Sequence, residues 1–278
     1  MKEIDVTAIQ RGCVHDGSGI RTTVFLRGCL LRCPWCCNPE TWTKDEYFFD
    51  SSKCLLERGI NSPLCNGCIK MGGKKTVSEC PFHSSKPVSQ GFPADKLYEL
   101  IIRDKAQFSS TGGGVTFSGG EPMLQAVSLL PLLRQLQEEK INICFETTLV
   151  APESDINLVR PFIDEIIIDL KLQPTMNLCN EGYVSSITSL LKTLPSTMKR
   201  KYRLVFINEM SDCKDDIVDK LRRLNIKELE LLKAHNLGES KYRKLHLQPK
   251  DYSADTTLFS EFAEHLIADG IKVSKLAI

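Results

Sequence analysis

Cys29, Cys33 and Cys36 stand together in the stretch 27–41, separated by three residues and then by two. Three thiolates in one loop hold three irons of a cubic iron–sulfur cluster. A [4Fe–4S] cube normally takes four cysteines, so such a loop leaves one iron open for chemistry. Structural zinc is the competing reading, but zinc sites usually pair Cys-x-x-Cys units far apart in the chain. Disulfides fit least. The first ten residues carry no apolar leader core, and an intracellular chain keeps its thiols reduced. The residues alone favour a cluster over zinc, and zinc over disulfides.

A second group, Cys54, Cys65, Cys68 and Cys80, contains one Cys-x-x-Cys unit and is enough for one closed site, either a [4Fe–4S] cluster or zinc. It lies between residues 50 and 93, where Gly, Pro, Ser, Lys and Cys dominate and neither a helical nor a strand period persists. A segment of about 40 residues with so few apolar groups needs a metal staple. Cys13, Cys144, Cys179 and Cys213 are scattered and read as ordinary thiols. Lys plus Arg number 36 and Asp plus Glu 35, a net charge of +1 that gives no basic excess for nucleic acid. No apolar run approaches the length of a membrane span. The expectation is a cytoplasmic protein with neither membrane nor nucleic acid as partner.

The elements that must position these residues alternate. Strands are predicted at 22–26, 114–118, 141–145, 165–171, 202–207 and 227–232, and helices at 94–103, 124–139, 183–194, 213–223 and 256–269, with a further short helix between 148 and 165. Six strand–helix units argue for an α/β fold with a parallel sheet, short of the eight that close a full barrel. The fold class is a partial (β/α)6 TIM-type barrel, formed by residues 1–49 and 94–278, with a small cysteine-rich metal-binding insertion at 50–93. Cys29, Gly119, Glu146, Asp169 and His235 each follow a strand, and ligand sites of α/β sheets lie at the carboxyl ends of the strands. Gly119 and Gly120 allow close backbone approach to a ligand, and Glu121 beside them can accept hydrogen bonds from an ammonium group.

The cysteine spacing resembles the signature of the radical S-adenosylmethionine (radical SAM) enzymes, in which the open iron binds the amino and carboxylate groups of the cosubstrate. The stretch His15 to Arg21 is similar to the His-Asp-Gly-Pro-Gly-Ile-Arg segment of glycyl-radical enzyme activases, the group that includes pyruvate formate-lyase activating enzyme. The stretches 38–41, 112–122, 169–171 and 235–242 fit the same group, in the same order, so the resemblance spans most of the chain from about residue 10 to 245.

The resemblance implies an oxidoreductase. An electron from flavodoxin or ferredoxin reduces the [4Fe–4S] cluster, S-adenosylmethionine is cleaved to a 5′-deoxyadenosyl radical, and that radical takes hydrogen from a glycine of a partner enzyme. It implies that Asp16 grips the partner's backbone and that Gly119, Gly120 and Glu121 receive the methionine amino group. Trp35, Cys36 and Cys37 would line the adenine side; Asp169, Leu170, Lys171 and His235 would contact the methionyl and ribose parts; Arg203 would reach the carboxylate. A monovalent cation would sit at Glu146, Thr147 and Asp169. Many such activases carry an insertion with eight cysteines and two clusters. Four cysteines here restrict Cys54, Cys65, Cys68 and Cys80 to one auxiliary cluster, with zinc as the alternative.

The chain departs from the group at Cys37, where histidine or serine is common, and at 173–183, which lacks a His-x3-Thr-Gly segment. Lys233-Ala also stands before His235 where Pro-Tyr is usual. These changes bear on the partner more than on the core chemistry. Two other functions stay open on the residues: a radical SAM enzyme acting on a small molecule or peptide, and a non-catalytic iron–sulfur or zinc protein.

Overall fold

A strand covered on both faces reads as an unbroken apolar run, and the central strands of this chain do. The computed structural model describes residues 2–44, 46–65, 80–176 and 181–276. Its main sheet has nine strands in the order β11-β10-β9-β8-β7-β6-β2-β1-β5. The six predicted strands appear as β2 (Arg21–Leu26), β6 (Gly114–Gly119), β7 (Asn142–Thr147), β8 (Glu165–Leu170), β9 (Lys199–Phe206) and β10 (Glu228–Lys233), and every neighbouring pair is parallel. The sheet is wider than six strands. β11 (Lys272–Leu276) adds a seventh parallel strand beside β10, while β1 (Ile4–Cys13) and β5 (Gln90–Phe92) extend the other edge antiparallel.

Helices pack outside with one apolar stripe each. Ala126–Glu138 buries Leu129, Leu132, Leu133 and Leu136, and Thr256–Ala268 buries Phe259, Phe262 and Leu266. The aromatic rings Phe206 and Phe262 meet 5.1 Å apart between sheet and helix. No described helix is long and apolar enough to cross a membrane.

The sheet curls around residues 15–18. Asp16 accepts from Thr23 of β2 at 2.6 Å and, through its carbonyl, from Thr116 of β6 at 2.6 Å. The Ser18 N–H donates to Glu165 of β8 at 3.1 Å, and Arg203 of β9 donates to the His15 carbonyl at 2.8 Å. With strands about 4.8 Å apart, β2 and β9 would lie roughly 19 Å apart in a flat sheet. One short loop touches both because the sheet bends into part of a barrel. Arg21, fully buried, fixes the same loop by donating to Thr116 Oγ1 at 2.6 Å, to the Ser18 carbonyl at 3.0 Å and to the Val115 carbonyl at 2.7 Å.

The cysteine-rich segment leaves this frame through a small two-stranded sheet, β3 (Tyr47–Phe49) against β4 (Ser85–Pro87), after which β5 rejoins the main sheet on β1. Among its described residues, 3-10 turns at Ser51–Lys53 and Pro63–Cys65 are the only helical structure.

Candidate functional site

The loop that carries Cys29, Cys33 and Cys36 begins where β2 stops. Gly28 takes a positive φ of 107° and is tied on both sides: its N–H donates to the Thr41 carbonyl at 2.8 Å, and its carbonyl accepts from the Glu121 N–H at 2.7 Å. Backbone N–H groups then point at two sulfurs, Leu31 at Cys29 (3.4 Å) and Asn38 at Cys36 (3.3 Å). Burial raises the pKa of Cys29 and of Cys33 and pushes Cys36 up to about 12. The apo loop therefore holds neutral thiols, and coordination to a metal deprotonates such thiols outright. A cube asks its thiolates to bind different irons. The donor set and its N–H···S bonds fit a cluster.

Gly119 and Gly120 end β6 directly against this loop. Gly119 has φ +99°, and a Cβ on it would stand 2.5 Å from the Leu26 nitrogen; a Cβ on Gly120 would press into the Gly28 carbonyl oxygen. Gly120→Ala must push the two loops apart, with overpacking of about 2–3 kcal/mol. The expected outcome is a lower melting temperature together with poorer cosubstrate retention, read by thermal unfolding and equilibrium dialysis. Unchanged melting would sink this account of the glycine.

Glu121 behaves differently from the expectation. It is 1% exposed and does not line the cleft. Its carboxylate accepts from Thr147 Oγ1 at 2.7 Å, from Thr148 N–H and Oγ1 at 2.9 and 2.8 Å, and from the Met123 N–H at 3.3 Å. It clamps the end of β7 to the glycine turn instead of presenting an acceptor to a ligand. Leu170 is likewise fully buried and off the cleft, because successive residues of a strand face opposite ways.

One cleft is lined by Cys29, Cys33 and Cys36, by Trp35 and Cys37, by Gly119 and Gly120, and by Glu146, Asp169, Lys171, Arg203 and His235. Its charged wall is largely self-paired. Arg203 pairs with Glu146 and donates to Glu230 at 3.0 Å; burial works to lower its pKa, but the two carboxylates more than offset this and hold it charged. Glu146 also accepts from Ser118 at 2.6 Å. Lys171 sits 2.6 Å from Asp169 Oδ2, and there too the carboxylate outweighs burial and raises the ammonium pKa. Asp169 Oδ1 is buried without a hydrogen-bond partner. It is the acceptor this wall leaves for a ligand.

The suggested cation ligands do not form an open cage. Glu146 is taken by Arg203 and Ser118, the Thr147 hydroxyl donates to Glu121, and Asp169 Oδ1 alone lacks a partner. Asp16 is also off the cleft wall, its carboxylate accepting from the Thr23 hydroxyl at 2.6 Å.

On the opposite wall, Cys37 Sγ lies 3.6 Å from His235 Nδ1, which accepts the Leu237 N–H at 3.2 Å. A Cβ on Gly238 would stand 2.9 Å from Cys37 Cα, so the segment after β10 packs flush on the cluster loop. Lys241 locks the two by donating to Asn38 at 2.8 Å and to Glu40 at 2.6 Å. Glu230, which holds Arg203, was not singled out in the sequence. Its signal is a carboxylate inside the alternating Glu-Leu-Glu-Leu run of a parallel strand.

In the insertion, Cys54 and Cys65 are buried and Cys80 is half-buried, with its sulfur 3.0 Å from Ser84 Oγ. Cys68, the fourth expected ligand, lies outside the described residues, as does Cys179. Cys54, Cys65 and Cys80 do not line the cleft.

Residues 15–166, just over half of the chain, match the family model described as "4Fe-4S single cluster domain". The chain is 30% identical over 289 residues to 4-hydroxyphenylacetate decarboxylase activating enzyme of Clostridioides difficile (strain CD196), covering 93% of this chain and 90% of that one. It is 30% identical over 270 residues to pyruvate formate-lyase 2-activating enzyme of Escherichia coli (strain K12), covering 92% and 88%. Among solved structures, a radical SAM methyltransferase from Sphaerobacter thermophilus shares the fold with a TM-score of 0.50 at 14% identity, over 98% of this chain and 76% of that one.

Proposed function

The chain belongs to the radical SAM activating enzymes of glycyl-radical enzymes, and from that premise we propose which of its residues carry the reaction. As a family member it is an oxidoreductase that uses a [4Fe–4S] cluster and S-adenosylmethionine and acts on a protein partner. With the cosubstrate bound, the cluster supplies reductive cleavage of S-adenosylmethionine to a 5′-deoxyadenosyl radical that takes hydrogen from a glycine of the partner.

The observation that carries the residue assignment is the convergence on one cleft of three cysteines, the Gly119–Gly120 turn, an unpaired Asp169 oxygen and His235. Cys29, Cys33 and Cys36 hold the cluster. Gly119 and Gly120 give the methionine moiety close backbone approach, and Asp169 accepts from its ammonium or from the ribose. Lys171, held charged, faces the carboxylate. Arg203 stiffens the floor through Glu146 and Glu230 and ties it to His15. Trp35, Cys37 and His235 border the adenine. The loop around Asp16 carries the contact to the partner's glycine-bearing backbone. Residues 1–49 and 94–278 form the radical-generating unit. Residues 50–93 are an auxiliary unit whose Cys54, Cys65, Cys68 and Cys80 hold one further [4Fe–4S] cluster, with zinc as the second choice. The electron donor is a flavodoxin or ferredoxin, and the setting is the cytoplasm.

The test uses anaerobically reconstituted full-length chain, reduced with dithionite in the presence of S-adenosylmethionine and, one at a time, a panel of purified glycyl-radical enzymes. The expected result is 5′-deoxyadenosine together with a glycyl EPR doublet on the partner. 5′-Deoxyadenosine with a modified small molecule and no protein radical would overturn the partner assignment. Iron and sulfide counts decide the auxiliary site, since zinc in place of a second cluster halves the iron.

A further inference from the structure

Arg203 stands in one row with two carboxylates. In the parallel register it lies opposite Asp169 of β8 on one side and Glu230 of β10 on the other, and residues in register on neighbouring strands face the same way. Glu146 of β7 closes on the same side chain. That side chain is 6% exposed and uses all three of its nitrogens. Nη1 pairs with Glu146 Oε1, Nε and Nη2 donate to Glu230 Oε2 at 3.2 and 3.0 Å, and Nη2 also donates to the His15 carbonyl at 2.8 Å. The oxygens around it are spent in the same way. The second oxygen of Glu146 accepts from Ser118 at 2.6 Å, the second of Glu230 lies 3.3 Å from Lys201 Nζ, and Lys171 holds Asp169 Oδ2 at 2.6 Å. The Thr147 hydroxyl donates to Glu121 at 2.7 Å and accepts the Leu149 N–H at 2.9 Å. Asp169 Oδ1 is the one oxygen of these three carboxylates without a partner. Hard cations gather several oxygens around them. An alkali ion at Asp169 would find one, beside a fixed positive charge that repels it.

We propose that the Arg203 guanidinium is itself the resident cation of this wall: it supplies, as part of the chain, the positive charge that a monovalent ion would bring to Glu146, Thr147 and Asp169, so that the cleft takes up S-adenosylmethionine with no requirement for such an ion. The inference rests on the reading that this cleft binds S-adenosylmethionine. Three carboxylates in a partly buried wall need counter-charge. Arg203, Lys171 and Lys201 match Glu146, Asp169 and Glu230 one for one, and a further ion would add charge that nothing balances. A guanidinium is permanently charged, and its planar fork serves two carboxylates and a carbonyl at once, which a spherical ion held by so few free oxygens does not reproduce. Arg203 is a positioning residue. It fixes Glu146 and Glu230 beside Asp169, and Asp169 is the acceptor left for the cosubstrate.

The experiment is equilibrium dialysis of S-adenosylmethionine against the reconstituted, unreduced full-length chain in sodium, potassium or tetramethylammonium chloride. Ionic strength is held equal so that screening is the same throughout. Tetramethylammonium buries its charge under methyl groups and cannot be ligated by oxygens. The parent chain should bind the cosubstrate equally in every salt. A severalfold gain in sodium or potassium overturns the inference while leaving the cleft reading intact, and no binding in any salt overturns both. Arg203→Gln removes the charge and opens the row. In tetramethylammonium its affinity should fall about tenfold, the size of one lost hydrogen bond to a charged group, and sodium or potassium should restore it by taking the place of the guanidinium. A merely structural arginine would lose affinity equally in every salt, and that outcome overturns the inference. Should Arg203→Gln fail to fold, dialysis of the cosubstrate-bound parent against radioactive sodium or rubidium decides. No ion held by the chain is expected, and one ion per chain overturns the inference.

Discussion

Replacing any one of Cys29, Cys33 and Cys36 with alanine is expected to abolish cluster assembly in the cleft and, with it, all cleavage of S-adenosylmethionine, while the fold survives. The three sulfurs lie in one loop whose backbone is pinned at Gly28, Thr41 and Glu121 independently of the thiols. Losing one sulfur therefore removes a ligand without unpinning the loop. No neighbour substitutes for it. Cys37, the adjacent thiol, is directed at His235, 3.6 Å away, and Cys144 is fully buried on the strand β7. A cube with two protein thiolates has lost the coordination that fixes its orientation toward the cosubstrate. The check is iron content of the cleft site together with 5′-deoxyadenosine formation, with near-native thermal unfolding as the control for folding. Cosubstrate cleavage that persists in the triple alanine variant would falsify the cluster assignment.

The second large effect is on stability. Glu121→Ala should destabilise the chain by about 3–5 kcal/mol. Four donors, from Thr147, Thr148 and Met123, converge on this carboxylate. Each buried donor left without an acceptor costs about 1–3 kcal/mol, with part of the sum recovered when the threonine hydroxyls turn to other partners. At roughly 2–4 °C per kcal/mol for a domain of this size, the melting temperature should fall by about 10 °C. Glu121→Gln keeps one acceptor oxygen but turns an amide N–H2 toward donors, so a smaller loss of about 2 kcal/mol is expected. Thermal unfolding of the cosubstrate-free protein is the right readout because it separates the two roles considered for this residue. A bracing role lowers the melting temperature without any ligand present. If Glu121→Ala melts like the parent and loses only affinity for S-adenosylmethionine, the residue contacts the cosubstrate and the bracing role is wrong.

The contrast at Glu121 shows what the sequence could and could not convey. The six central strands were legible because a strand enclosed on both faces must be apolar throughout, and Ile166, Ile167 and Ile168 leave no other reading. The placement of the chemical residues at their carboxyl ends followed from the parallel connections alone. The edges were less legible. β11 runs Lys-Val-Ser-Lys-Leu with little apolar content, and its pairing with β10 is decided by contact with a strand some 40 residues earlier. β1 is buried at Ile4 and Val6 but mostly exposed beyond, so half of it carries no periodic signal.

Within the site, parity decided what motif matching could not. Asp169 and Lys171 face the cleft and Leu170 faces the core, since adjacent residues of a strand point in opposite directions. A match over Asp-Leu-Lys carries all three side chains alike. Glu121 is turned inward because two threonines at the end of β7 supply donors for it, a pairing between segments 26 residues apart that no local pattern announces.

The central claim is that the cube held by Cys29, Cys33 and Cys36 presents its open iron to the cleft between Gly119–Gly120 and Asp169–Lys171. The most direct measurement is electron–nuclear double resonance on the reduced, reconstituted chain with S-adenosylmethionine labelled at its amino nitrogen and carboxylate oxygen. The account predicts strong couplings from both labels to the cluster, as when both groups bind one iron, and their disappearance in Cys33→Ala. A reduced cluster that shows neither coupling while the cosubstrate is bound would contradict it.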